Sequence, residues 1–398
     1  MKQLIPHFYP NFACIASRCS DSCCIGWEID IDPDTADYYR SCITDGDPFS
    51  PQLSQKICWE SPAHFLLKED DRCPFLNQDN LCEIYIHLGE QALCEICDQH
   101  PRFHEWFGDY KESGLGLCCE EAVRLLLESG ELSFLSRTID EPADDQPFDS
   151  ELLSAMLSVR QQMFSLLKNT NLAFAARLQI LLRYADAIQQ SLDSADFPAL
   201  TALSQEIPAQ LFSSPCDFTD SPQLLLSDLL EFLASLEPID PRWTKRLRKL
   251  AQNLPQLLPL SEPLPFQNLC NYTLYRYLLK SVWDGDCLSR TKFAVLFTLL
   301  CRLLWLALPG ESAGDLPIEP PTDSRINCIK AISKELEYSE ENLQTLLDLS
   351  WEHEEQVGFL SVNSLSCLSA FLFYSTQRKK DPAGLKNFNP AGSFVMYP

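Results

Sequence analysis

The sequence predicts a mainly α protein: a cysteine-rich N-terminal domain over residues 1–135, an acidic linker over 136–150, and an all-α helical domain over 151–398. Three observations carry this prediction. Twelve of the 18 cysteines lie within the first 119 residues. The stretch SRTIDEPADDQPFDS that follows is acidic and proline-bearing, as surface connections are. From residue 151 onward apolar residues recur at helical spacing, and no strand alternation competes.

The elements follow in order. IDPDTADYYRSC opens a helix, with Asp32 as N-cap and Pro33 at the first helical position. CCEEAVRLLLESGELSFL reads as a second helix, with acids in its first turn and Gly130 near its end. ELLSAMLSVRQQMFSLLK places Leu153, Met156, Leu157, Phe164 and Leu167 near one helical face. NLAFAARLQILLRYADAIQQSL, SPQLLLSDLLEFLASL, NYTLYRYLLKSVW and SEENLQTLLDLSW continue the pattern. The run FAVLFTLLCRLLWLALPG from Phe293 is the most apolar, but Arg302 interrupts it, so it reads as a buried helix rather than a membrane span. RWTKRLRKL, from Arg242 to Leu250, reads as a solvated basic helix face. The tail DPAGLKNFNPAGSFVMYP has no periodicity and reads as a loop.

Composition narrows the function. With 31 basic against 56 acidic residues the net charge is -25, which argues against nucleic acid, since phosphate binding needs clustered Lys and Arg. An acidic surface keeps a protein soluble and also steers lysine-rich partners. The start MKQLIPHFYPNF lacks a long apolar segment of the secretory kind, so a cytoplasmic protein without a membrane partner is expected.

In a reducing compartment a dense set of thiols points to metal rather than to disulfides. CIASRCSDSCCIGW holds Cys14, Cys19, Cys23 and Cys24; CPFLNQDNLC brings Cys73 and Cys82 around an Asn/Asp turn; LCEIC holds Cys94 and Cys97; LCCEEAVRLLL holds Cys118 and Cys119 before a helix. Adjacent Cys23 and Cys24 have Cα atoms only ~3.8 Å apart and point in different directions, so they bind different ions, or one binds while the other packs. All-thiolate ligation suits zinc or an iron–sulfur cluster, and the spacing does not separate the two. The cysteines Cys216, Cys270, Cys287, Cys301, Cys328 and Cys367 are scattered among apolar residues and read as core side chains.

FACIASRCSDSCCIGWEIDID, DRCPFLNQDNLCEIYIHLGEQALCEICDQHPR and GLCCEEAVRLLL together resemble the flagellin lysine-N-methylase family over roughly residues 10–125. The resemblance implies a metal-binding N-terminal domain and methyl transfer from S-adenosylmethionine to lysine side chains of flagellin. It also implies an iron–sulfur cluster, 4Fe–4S in type, with zinc as the alternative. The cysteines matching the pattern are Cys14, Cys19, Cys23, Cys24, Cys73, Cys82, Cys97 and Cys119; Cys94 and Cys118 look like local additions, and Cys42 and Cys58 stand outside it. Two positions depart from the family: His100 stands where an aromatic residue precedes the Pro-Arg pair, and Glu120 where a proline commonly follows the last cysteine. No Gly-rich turn after a strand marks a dinucleotide-type cofactor site.

Methyl transfer to lysine needs a neutral amine held in line with the methyl group and shielded from water. Asp21 is the candidate base, against the plainer reading of a turn residue bonding its own backbone. Arg102 is the candidate partner for a cofactor carboxylate, against an ordinary salt bridge. Trp27 reads as a core aromatic before a cage for a cation. His87, His100 and His104 read as surface or hydrogen-bonded histidines, because the thiols already suffice as ligands. Two other classes stay open: a non-catalytic zinc- or iron-binding module that docks a partner, and an iron–sulfur redox sensor.

Overall fold

The computed structural model of the chain describes residues 1–213, 221–308, 312–313, 316–317, 322–352 and 358–374. It is mostly helical, as expected, and falls into two units. The first comprises Met1–Trp106, Tyr110–Leu125 and Phe134–Glu141; the second comprises Phe107–Asp109, Leu126–Ser133 and the chain from Pro142 onward.

The first unit contains β1 (Lys2–Pro6), α1 (Pro33–Thr44), α2 (Ser50–Lys56), β2 (Ile57–Cys58), β3 (His64–Phe65), α3 (Glu83–Leu88), α4 (Glu95–Gln99), β4 (Arg102–Phe107), β5 (Tyr110–Leu115), the start of α5 (Glu120–Glu128) and β6 (Phe134–Thr138). A four-stranded sheet in the order β4-β5-β1-β6 joins these elements, a feature that the reading of a mainly α protein did not include. β1 runs parallel to β5 and antiparallel to β6, with Lys2 opposite both Tyr110 and Thr138. Residues 136–138, expected in a linker, are therefore the end of a strand; the irregular connection is 139–149. Strand alternation does not mark this sheet, because polar residues line its middle. Lys111, Glu112 and Ser113 are buried in β5. Their partners are internal: Gln3 Nε2 donates to Ser113 Oγ at 2.6 Å, Lys111 faces Glu141 at 2.6 Å, and Arg137 Nε donates to Gln3 Oε1 at 2.7 Å. Buried polar groups persist only where such partners exist.

His104 on β4 belongs to this network. Its ring nitrogens lie 2.7 Å from Ser113 Oγ and 3.2 Å from Gln99 Oε1, so it is a hydrogen-bonded histidine, as expected. Burial, reinforced by Lys111, pushes its pKa down to about 4. An unfolded histidine titrates near 6.5. The neutral ring thus contributes stability in full above about pH 6.5, and that contribution is lost as pH falls toward about 4. The thermal midpoint of the wild type should drop more between about pH 7 and about pH 4 than that of His104→Gln. Equal drops would show that the histidine does not contribute to the acid sensitivity.

A second layer of the unit has its own apolar core, built from Ile29, Ile31, Tyr39, Phe49, Leu53, Phe65, Phe75 and Ile84, among others. Asp32 caps α1 as predicted: Oδ1 accepts from Thr35 N at 2.9 Å, while Oδ2 accepts from Glu95 N at 2.8 Å. One carboxylate thereby fixes the first turns of both α1 and α4.

The second unit contains α6 (Ser150–Lys168), α7 (Phe174–Asp193), α8 (Phe197–Gln205), α9 (Gln210–Ser213), α10 (Pro222–Leu233), α11 (Pro241–Gln252), α12 (Leu264–Tyr277), α13 (Ser281–Asp284), α14 (Leu288–Leu306), α15 (Thr322–Glu337), α16 (Glu340–Glu352) and α17 (Val362–Leu372). α14 is the apolar run singled out in the sequence; it is buried from Ser289 to Trp305 and packs against α7, α12, α15, α16 and α17. Arg302, which interrupts that run, turns its guanidinium to the carbonyls of Leu258 at 2.6 Å and Leu372 at 3.2 Å. Among the described residues no helix is long and apolar enough to cross a membrane. On α11, Trp243, Leu247 and Leu250 are buried and Arg242, Lys245, Arg248 and Lys249 are exposed, so the basic run is a solvated face as expected. Cys270, Cys287, Cys301, Cys328 and Cys367 are core side chains. Cys216 and the tail from Asp381 lie outside the described residues.

Candidate metal centre

All eight motif cysteines lie in the first unit. In the loop from Cys14 to Trp27, Ala16 N donates to Cys14 Sγ at 3.4 Å, and the Trp27 indole donates to the Cys23 carbonyl at 2.7 Å. Gly26 has φ +97 and donates to the Asp71 carbonyl at 3.0 Å. A side chain at that φ would be strained, which accounts for the glycine of the C-C-x-G-W string. Next to it, Cys73 N donates to the Cys24 carbonyl at 2.9 Å, so two distant motif segments run side by side.

The NQDN turn then places Cys82. Asn77 Oδ1 accepts from Asp79 N and Leu81 N, both at 2.9 Å, and Asn80 takes the left-handed φ that asparagine tolerates. Arg72 closes the turn through the Asn77 carbonyl and Asn80 Oδ1, each at 2.7 Å. Cys82 is the N-cap of α3 and Cys94 the N-cap of α4. The Cys119 carbonyl accepts from Val123 N at 3.1 Å, which makes it the N-cap of α5. Three thiols thus stand where first-turn N–H groups have no helical partner. The Cys82 and Cys94 sulfurs make no capping hydrogen bond, but the N–H groups of Tyr85 and Ile84 near Cys82, of Cys97 near Cys94, and of Ala122 and Glu121 near Cys119 each favour the thiolate.

Burial pushes Cys73 up to about 12 and Cys119 up to about 11, and it raises Cys82 too. Cys24 runs the other way, down to about 7, because the Cys23 thiol hydrogen-bonds to it. Within the C-x-x-C pair the Cys97 thiol likewise lowers Cys94. Soft sulfur donors beside helix-start N–H groups suit a thiophilic metal, because those dipoles favour the thiolate that a metal requires.

Cys94, taken from the sequence as a local addition, is buried in the apolar core and bonded to Cys97, so it joins the constellation; its C-x-x-C spacing was the available signal. Cys118 is buried, its Sγ 3.9 Å from His100 Nε2, and the His100 ring lies beside Trp27 with centroids 5.9 Å apart. Trp27 packs against the core, in keeping with its reading as a core aromatic. Glu120 has a part that sequence reasoning missed. Its Oε2 accepts from Ser20 N at 2.8 Å, from the Ser20 hydroxyl, and from Cys19 Sγ at 3.7 Å. The residue that departs from the family pattern therefore ties the Cys19 loop to the start of α5.

Asp21 is half-buried in that loop. Arg102 opens β4, donates to the Asp98 carbonyl at 3.1 Å, bonds the Tyr9 phenol and stacks on the Phe12 ring at 5.2 Å. His87 stacks on Phe49 with centroids 4.8 Å apart. Among the described residues, one group of three ligand-type side chains gathers within 4.8 Å: Glu28, Asp30 and His64. Both of its carboxylates are exposed, and exposed acidic groups assemble without a metal, so it is not assigned as a centre. No three described thiols are drawn that close.

A thiol-rich unit joined to a helical unit is the class of protein that these features define. The helical unit identifies it further: residues 160–368 match the model of the FliB lysine N-methylase C-terminal domain. The chain belongs to the FliB lysine N-methylase family. It is 27% identical over 213 residues to a Lysine-N-methylase of Salmonella choleraesuis, covering 52% of each chain. It is 27% identical over 216 residues to the Lysine-N-methylase of Salmonella typhimurium, again 52% of each. A Flagellar biosynthetic protein FliU of Salmonella muenchen is 30% identical over 129 residues, 31% of this chain and 75% of that protein. The chain thus spans about half the length of the two methylases it matches. No solved structure matches it.

Proposed function

We propose that this protein transfers methyl groups from S-adenosylmethionine to lysine side chains of flagellin, in the cytoplasm, with an iron–sulfur cluster held by its cysteine site. The match of residues 160–368 to a lysine N-methylase domain carries this reading. The flagellar name of one relative supports the substrate. The crowding of the motif cysteines in the first unit supports a bound metal, and the resemblance of their strings supports an iron–sulfur cluster over zinc. When bound, a cluster supplies a Lewis-acidic iron able to take the amino and carboxylate groups of the donor's methionine part.

The chain's own residues do the rest. In this reading Asp21, between Cys19 and Cys23, takes the proton from the incoming lysine, and Arg102 supports a cofactor carboxylate. The net charge of -25 draws a lysine-bearing partner over a Debye length of ~8 Å. Anaerobically purified protein, incubated with S-adenosylmethionine and unmodified flagellin, should add whole methyl groups to lysines, read by mass spectrometry. Association should slow as salt rises. If metal-loaded protein bound flagellin but added no methyl group, a non-catalytic binding module would replace this proposal.

A further inference from the structure

The adjacent pair Cys23 and Cys24 raises a question that the methylase reading leaves open, namely how many metal centres the cysteines build. We infer that they form two, with one member of the pair in each: an outer group of Cys14, Cys19, Cys23 and Cys119, and an inner group of Cys24, Cys73, Cys82 and Cys97. The inference rests on the proposal that these thiols bind metal.

Packing separates the two groups. Cys24, Cys73, Cys82, Cys94 and Cys97 all belong to, or pack against, the apolar core of Ile29, Tyr39 and Phe75. Cys14, Cys19, Cys23 and Cys119 are absent from that cluster, and Cys14 and Cys23 are exposed. The chain therefore crosses from one environment to the other within a single peptide bond.

The backbone joins each group by separate ties. Cys24 is bonded to Cys73 through its carbonyl, Leu76 pairs with Cys82 across the NQDN turn, and Asp32 anchors the first turn of α4, where Cys94 and Cys97 lie. On the other side, Glu120 bonds Cys19 and Ser20, bringing their loop to Cys119 at the start of α5.

Through-space neighbours follow the same division everywhere but at the adjacent pair itself, where the Cys23 thiol hydrogen-bonds to Cys24; beyond that contact Cys14 and Cys119 act on Cys23, and Cys19 and Cys14 act on Cys119. Cys24 acts on Cys73, Cys82 and Cys97. Four thiolates complete a tetrahedral ion or one cluster, so each group is a full ligand set. The inner group has Cys94 as a fifth thiol, bonded to Cys97.

Native mass spectrometry of the anaerobic full chain, reconstituted with ferrous iron and sulfide, tests this count. The wild type should carry two metal increments. Cys119→Ser and the milder, exposed Cys14→Ser should each keep one, Cys73→Ser should keep the other, and Cys119→Ser combined with Cys73→Ser should keep none. A single increment in the wild type would overturn the inference, and so would loss of both increments in a folded Cys14→Ser chain. Should Cys73→Ser fail to fold, the wild-type and Cys14→Ser counts decide alone. Two zinc increments in protein loaded with zinc, with no iron–sulfur increment, would end the iron–sulfur reading while upholding two centres. A chain that takes up neither metal would end both.

Discussion

Glu337→Ala should destabilise the helical unit by about 3–5 kcal/mol, the usual cost of removing one partner from a buried ion pair. The Glu337 side chain is 0% exposed at the end of α15. Its Oε1 accepts from the Tyr272 and Tyr277 hydroxyls and from Arg276 Nη1, each at 3.1 Å. Removing the carboxylate takes the facing charge from a buried guanidinium and an acceptor from two buried phenols. Glu337→Gln, which keeps an acceptor but not the charge, should fall between the wild type and alanine. The double variant Glu337→Leu with Arg276→Met should cost less than the sum of its two single changes, since it strands no charge. Denaturant midpoints of the full chain measure all four. A Glu337→Ala change within about 1 kcal/mol of wild type would show that the pair does little for stability.

Glu120→Ala should release the loop carrying Cys14, Cys19 and Cys23 at a local cost of about 1.5–3 kcal/mol, the range for a hydrogen bond to an ionised group. Glu120 is 7% exposed, and its carboxylate also stands in the first turn of α5, where negative charge is favoured. Glu120→Pro, which restores the residue common in the family, suits the first helical position but should lose the same contacts. Alkylation of the half-buried Cys19 in metal-free protein, mapped by peptide, should accelerate roughly tenfold to a hundredfold, because loop opening limits access to its thiol. Unchanged alkylation in Glu120→Ala would show that the loop is held by other contacts.

The two units were unequally legible. In the helical unit, apolar side chains at helical spacing over long segments announce the elements and their buried faces, so α6, α7, α10 and α14 were readable directly. The solvated face of α11 was readable for the same reason. In the first unit, the N-cap Asp32 and Pro33 could be read because capping is local chemistry. The sheet could not. Its strands join residues 2–6 to residues 110–112 and 134–138, and β5 buries Lys111, Glu112 and Ser113. Strand patterning assumes an apolar inner face, and here polar residues are buried instead, with Ser113 and Arg137 bonded to Gln3 more than a hundred residues away.

By itself the sequence determined that twelve thiols crowd the first 119 residues, that apolar residues recur at helical spacing from residue 151 onward, and which strings resemble the methylase family. These are matters of residue type and short-range spacing. Tertiary structure decided which thiols lie near one another. Whether Cys23 and Cys24 keep the same company depends on Cys73, Cys82 and Cys97 arriving on one side, and on Cys119 arriving with Glu120 on the other. It also decided the worth of Glu120, which in sequence is only a departure from a proline. A contact across a hundred residues leaves no mark in local spacing, because long-range packing, not chain proximity, brings its partners together.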